Sequence, residues 1–398
     1  MPSALAAYIP EPGKTANVNL NSLTPLNPCP TNNCWYTGSS NLQASWRNWT
    51  GAAWAPGFSP YGALVFWGGG HGGGSDVGLY VFDFTTGLWS RVGPANPAQD
   101  YLHLVEANVD FYDHLHEGSY IVPGLHTYNY PAYVPPDLPG SGPRGQWLLP
   151  QLVGGANSGA KPHAVDLATG VWTRFSTGPG VGGQSPYTGS IEDTRRQRVW
   201  WATIGDAWMN MLDLTEPHPR NIHVRRLLPT GSQYGHGGYY ARPVYVAETD
   251  MVVSLWCFYL QTRVRGEVYD LSRGELVHMG ALTLPPLDIP TGAGFGLDWC
   301  PHTRAFYLYP GWGSEQVFKL TPSSLEFHEC TWEWSEERFA GAVFQASGTG
   351  SGAQPFSRWR YVPWLRCFAW TDGPGVSGMV ADGQQRDGIV QLWRPLGT

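Results

Sequence analysis

Charge is what this sequence has least of. Only 14% of its 398 residues are Asp, Glu, Lys or Arg, and Lys plus Arg number 24 with no basic run among them. A formal net charge of −7 offers nothing to a phosphate backbone, which excludes nucleic acid as a partner class. Long apolar stretches are missing too. No segment approaches the ~20 apolar residues that a membrane helix needs, so membrane insertion is not expected. The start, MPSALAAYIPEPG, has neither the basic residues nor the apolar core of a secretion signal, and export by that route is not expected. Cysteine is sparse at six, too few for a disulfide scaffold in a chain this long. Cys29 and Cys34, in CPTNNC, are spaced for a local bridge; Cys257, Cys300 and Cys367 sit in apolar strand-like runs and are expected in the core. Uninterrupted helix formers are scarce, which excludes long helices.

What the chain does have is turn punctuation and large rings: 51 Gly, 34 Pro, 20 Trp, 20 Tyr and 15 Phe. With apolar content at an ordinary 42% and charge this low, disorder is excluded. The mixture predicts many short strands in one large all-β unit.

A degenerate repeat organises those strands. VFDFTTGLW at 81–89 matches AVDLATGVW at 164–172, and VYDLSRGEL at 268–276 fits with Leu276 in the Trp position. MLDLTEPHP at 211–219 keeps the first half; VFKLTPSSL at 317–325 has lost the Asp. The pattern reads as strand, tight turn, strand. Asp bonds its own turn backbone, Gly takes positive φ, and Trp packs on the neighbouring unit. Apolar strands precede each unit, as in GALVFWGGG, RQRVWWATI and TRAFYLYPG, and RCFAWTDG opens a sixth unit that ends in GIVQLWRPL. The Asp-like positions 83, 166, 213, 270 and 319 are about fifty residues apart after a longer first gap. Such a period predicts a β-propeller, residues 46–398, behind an extended N-terminal arm, residues 1–45. Six blades are favoured if 93–124 is an insertion, and seven result if it is a degenerate blade. SWRNWT, at 45–50, is a candidate outer strand for the first or last blade.

A double glycine closing one strand, followed by an aromatic and a Trp across a turn, resembles the Kelch repeat. Gly69, Gly70, Phe82 and Trp89 carry the resemblance, with Gly154, Gly155, Val165 and Trp172 second; Val165 departs from the aromatic. The chain is similar to divergent Kelch-like propellers of bacterial and tailed-phage genomes. That resemblance implies a propeller fold and a virion or cytoplasmic setting. It leaves open protein binding, glycan binding and polysaccharide lysis.

Polar aromatics cluster just before the expected first strand of several blades: GLHTYNYPAYVP (124–135), SPYTGSIED (185–193) and YGHGGYYARPVYV (234–246). Segments leading into inner strands lie near a propeller's channel, so His126, Tyr128, Tyr187, Tyr234, His236, Tyr239 and Arg242 are expected to converge. Such a group suits a sugar chain, with rings stacking on sugar faces. It also suits β-elimination from a uronate, in which Arg neutralises the acid and His or Tyr moves protons. Under that reading His126, Tyr187, His236, Tyr239 and Arg242 are the catalytic set. His71, between two glycine triplets, reads first as a loop residue, and GGGHGGG lacks the Lys-Ser/Thr partner of a phosphate loop. DHLHE holds Asp113, His114, His116 and Glu117, but alternating His114 and His116 without a placed third ligand make a weak metal site. No cofactor fingerprint is present. The favoured expectation is a non-enzymatic recognition or structural module that binds a surface glycan or a partner protein, phage structural proteins included. The alternative is a uronate-directed polysaccharide lyase.

Overall fold

The computed structural model describes residues 3–26, 50–67, 78–93, 115–116, 119–120, 127–150, 162–175, 189–203, 208–218, 220–227, 240–257, 262–289, 294–311, 314–340, 355–371, 373 and 377–398. Short strands separated by turns assemble into six four-stranded antiparallel sheets, a six-bladed β-propeller. From the axis outward, blade I is Ala52–Ala55, Ala63–Trp67, Leu79–Asp83 and Leu88–Val92; blade II is Ala132–Val134, Gln146–Leu149, His163–Asp166 and Trp172–Arg174. Blade III is Ile191–Asp193, Arg198–Thr203, Trp208–Asp213 and Ile222–Leu227; blade IV is Arg242–Val246, Met251–Trp256, Arg265–Asp270 and Val277–Ala281. Blade V is Gly296–Cys300, Ala305–Tyr309, Gln316–Pro322 and Trp332–Arg338. Blade VI takes Arg360–Val362, Cys367–Thr371 and Val390–Trp393 from the far end of the chain. Its outer strand is Thr15–Asn17, paired antiparallel with Val390–Trp393. The outer strand of the last blade, for which SWRNWT was a candidate, is Thr15–Asn17 of the arm; residues 45–49 lie outside the described residues. Between blades I and II the described residues of the long gap form one small pair, Leu115–His116 with Ser119–Tyr120. Helix is confined to single 3-10 turns among the described residues.

The repeat works as its chemistry predicts in four blades. Asp83, Asp166, Asp213 and Asp270 end the third strand, and each accepts a hydrogen bond from a turn amide two residues on, at 2.8, 2.9, 3.0 and 2.7 Å. The glycine that follows in three of them, at 87, 170 and 274, takes φ of +71°, +75° and +77°, where a side chain is disfavoured. Trp89 donates its indole N–H to the Gly388 carbonyl of blade VI, and Trp172 meets Trp67 of blade I at 5.4 Å between ring centroids. Leu276 precedes the outer strand of blade IV and is still buried against blade III. The fifth unit departs. Lys319 lies inside the strand Gln316–Pro322, not at its end, because this strand continues past the Asp position and turns only after Pro322.

Apolar cores sit between blades, as sheet-on-sheet packing requires. One fills the gaps among blades I to III and another joins IV to V. A third gathers blades I and VI with Leu5, Val18 and Leu23 of the arm. Cys257 and Cys367 are buried in these layers and Cys300 in a further one between blades V and VI; desolvation pushes the thiols of Cys257 and Cys367 up to about 12. Cys29 and Cys34 lie outside the described residues.

Candidate functional site

The inner strand of each blade leaves one edge without a sheet partner, facing the propeller axis, and an unpaired strand edge needs its N–H and C=O groups served. Four charged residues of the inner strands do this, most of them across blade boundaries. Glu192 of blade III accepts the Tyr133 amide of blade II at 3.2 Å, and Asp298 of blade V accepts the Tyr361 amide of blade VI at 2.9 Å. Arg242 of blade IV is only 2% exposed and donates through Nε to the Leu297 carbonyl of blade V and through Nη1 to the Pro243 carbonyl, both at 3.2 Å. Arg360 of blade VI donates through Nε to the Ser357 carbonyl at 3.0 Å and reaches Ala52 of blade I. Its Nη2 also lies 3.3 Å from Glu192 Oε1. Blades III and VI are three places apart in a ring of six, so this ion pair spans the axis. Burial pushes the Glu192 carboxyl above the usual carboxylate range, while the Arg360 and Arg242 guanidiniums oppose that rise.

On the side of the tight turns that join first to second strands, the belt faces a cavity of about 340 Å³. Glu192, Asp298, Arg242 and Arg360 line its depth, and half-buried Trp54 and Tyr245 line its wall. Thr194, Ala247, Glu248, Pro301 and Pro363, from the turns of blades III to VI, form its mouth. Next to Pro363, Trp364 is 65% exposed. Beside the mouth, blades III and IV are tied by charge. Arg196 gives Asp250 two hydrogen bonds, at 2.8 and 2.5 Å, and pairs with Asp193, while the Tyr245 hydroxyl donates to Asp250 at 2.7 Å. The Arg196 contact holds the Asp250 carboxyl down at about 2.

The other end of the channel is closed by aromatic rings. Tyr128 of blade II, Tyr240 of blade IV and Phe356 of blade VI come from alternate blades and meet at centroid separations of 5.5, 5.6 and 5.6 Å. All three have positive φ, +43°, +64° and +45°, a conformation that an aromatic residue adopts only under strong outside constraint. The constraint is a ring of hydrogen bonds through the segments leading into the inner strands. The Gly51 amide donates to Thr127 Oγ1, and Asn129 Nδ2 donates to the Tyr240 and Ala241 carbonyls. The Ser190 amide donates to the Asn129 carbonyl, the Phe356 amide to that of Gly294, and Ser357 Oγ to that of Tyr128. The intervening blades place glycines here, and a Cβ on Gly51 would fall 1.7 Å from the Tyr128 carbonyl oxygen.

Of the residues expected to converge, Arg242 lies in the cavity and Tyr128 in the aromatic closure. His126, Tyr187, His236 and Tyr239, with His71, Tyr234, Asp113, His114 and Glu117, lie outside the described residues. His116 falls in the short strand Leu115–His116. Among the described residues, no group of three or more His, Cys, Asp or Glu is arranged to hold a metal ion. Glu192, Asp298, Arg360, Trp54 and Trp364 were not singled out by sequence. The usable signal was a charged residue inside an apolar first strand: IED, RPVYV, GLDWC and RYV each carry one or more.

No protein-family model matches the chain, and no curated protein matches it. Among solved structures it is similar to the α-L-arabinanase of Penicillium chrysogenum in complex with arabinobiose, at 9% identity and TM-score 0.45, over 95% of this chain and 98% of that one. It is likewise similar to the GH93 α-L-arabinofuranosidase of Fusarium graminearum in complex with arabinobiose, at 9% identity and TM-score 0.41, over 95% and 97%. Such a likeness concerns the general fold and carries nothing further; the six blades rest on the chain's own sheets.

Proposed function

We propose that the protein is a non-enzymatic recognition module that binds a surface glycan through the end of the propeller bearing its tight turns. The carrying observation is Trp364, 65% exposed beside the mouth of a cavity whose wall holds Trp54. An exposed indole next to a polar hollow offers the flat apolar face on which a sugar ring stacks, with carboxylates below to accept its hydroxyls. The charged belt supports binding over bond-breaking. Arg242, which a uronate lyase would aim at the substrate's acid group, donates instead to the carbonyls of Leu297 and Pro243. Glu192 accepts from a backbone amide and from Arg360, an arrangement that fixes acceptors in place. Carriage on a phage particle, motivated by the sequence resemblance, is the setting we propose for the module, and proteomics of purified particles tests it. Binding itself is tested by retention on an array of immobilised glycans. Wild type should be retained and Trp364→Ala at least tenfold less. Failure of wild type on every glycan would turn the reading to a protein partner.

A further inference from the structure

A ligand that reaches this cavity cannot pass through it. The Glu192–Arg360 pair joins opposite blades across the axis, and beyond it Tyr128, Tyr240 and Phe356 meet in mutual ring contact. Among the described residues the hollow is therefore blind and opens between the turns. Its volume, about 340 Å³, is at the small end of the ~300–1,000 Å³ range of ligand pockets, room for one or two sugar rings.

Its chemistry narrows the ligand further. Two guanidiniums, Arg242 and Arg360, face two carboxylates, Glu192 and Asp298, so the formal charge of the belt balances, and Glu248 at the mouth adds a negative charge that disfavours an anionic ligand. The guanidiniums are engaged with backbone carbonyls and with Glu192, which removes the bidentate clamp that an anionic sugar would need. Each carboxylate oxygen of Glu192 and Asp298 accepts one N–H in these contacts: Arg360 and Tyr133 serve Glu192, and Trp299 and Tyr361 serve Asp298. A carboxylate oxygen has a second lone-pair direction, suited to a hydroxyl donor. Fixed acceptors beside an indole wall match vicinal hydroxyls on an uncharged ring.

We propose that the cavity binds the terminal residue or two of a neutral glycan, end-on, and does not accept an internal stretch of chain. This deepens the glycan reading above and rests on it. In the complex, the chain end enters between Thr194 and Ala247 and stacks along Trp54, and the following sugars leave across Trp364.

The test uses the full-length protein and two sets of probes. Free neutral mono- and disaccharides of glucose, galactose, mannose and arabinose, with glucuronate and galacturonate beside them, are titrated by calorimetry and saturation-transfer NMR. The corresponding polysaccharides are presented on a solid support. At least one disaccharide should bind, and it should displace the protein from its polysaccharide. Ala247→Trp and Thr194→Trp, both on exposed turns, should each weaken that disaccharide at least tenfold by filling the mouth while leaving the melting temperature unchanged. Trp364→Ala should weaken the polysaccharide more than the disaccharide. Retention on a polysaccharide with no binding of any small saccharide, or disaccharide binding untouched by both mouth-filling variants, would overturn end-on binding and leave the glycan reading standing. Preference for a uronate over every neutral sugar would overturn the neutral assignment. Absence of binding to both probe sets would remove the glycan reading itself.

Discussion

At one end of the propeller axis three aromatic rings touch, held by glycines and backbone hydrogen bonds; at the other, two arginines and two carboxylates look into an open hollow. The closed end stores strain: three non-glycine residues sit at positive φ, each at a cost of order 1–3 kcal/mol, which the surrounding ring of hydrogen bonds offsets. The open end stores little strain and much desolvation, because its arginines are buried, its carboxylates are half-buried, and all four are compensated by each other and by strand edges. The contrast teaches that rigidity and recognition are divided along the axis. One end fixes the spacing of the blades, and the other can hold polar groups in a set geometry because that spacing is fixed.

The comparison is broken most severely at Gly51. Gly51→Ala drives a methyl into the Tyr128 carbonyl and should remove more than ~4 kcal/mol of stability, read by urea unfolding, if it folds at all. Next is the charged end. Arg360→Met leaves the Glu192 carboxylate without its cross-axis partner and should cost about 3 kcal/mol at neutral pH, most of it recovered in Arg360→Met/Glu192→Gln. Acid also sharpens this case. A carboxyl raised in the folded state binds its proton more tightly there than in the unfolded chain, so its cost to stability appears as pH rises above the ordinary value of 4.5 and fades on acidification. The deficit of Arg360→Met should accordingly be smaller at pH 5 than at pH 7.

Asp250, beside the mouth, titrates with the opposite sign. Its carboxyl is held at about 2 against an ordinary 3.8, so its contribution is complete above that ordinary value and is lost as pH falls through about 2. Asp250→Asn, which tolerates the native φ of +59°, should cost about 2 kcal/mol at neutral pH and flatten the acid limb of the stability profile. The smallest effect belongs to Trp364→Ala. It should alter stability by less than ~0.5 kcal/mol, since little of the ring is buried, while glycan retention falls. A large loss of stability there would assign Trp364 to the fold and not to a ligand.

The fold was legible where one short segment contains its own reason. Asp83 and Gly87 make a turn from adjacent residues, and Trp89 announces burial by its size, so the blade unit could be read from nine letters. Blade V was found, but its turn was placed too early because Lys319 occupies an Asp-like position by spacing alone, with no turn chemistry behind it. The closing strand was missed because Thr15–Asn17 has no apolar alternation of its own; its pairing with Val390–Trp393 supplies all its order. The charged belt was harder still. Arg242 was reached through its aromatic surroundings, but Glu192, Asp298 and Arg360 lie more than fifty residues apart and acquire a shared purpose only when the ring closes.

That closure also sets a timetable. The sixth sheet joins Thr15–Asn17 to Val390–Trp393, so a strand made before blade I waits until blades I to V have been made before it can pair. Until then Leu5, Val18 and Leu23, which pack between blades I and VI, have only half of their apolar shelter. Blades I to V can form in order during synthesis, yet the ring remains an open arc, with the channel charges at the Glu192–Arg360 crossing still in water. Contacts so distant along the chain are slow to form. A nascent chain stalled before Val390 should therefore remain sensitive to protease around Thr15–Asn17, and release of Val390–Trp393 should protect both strands at once.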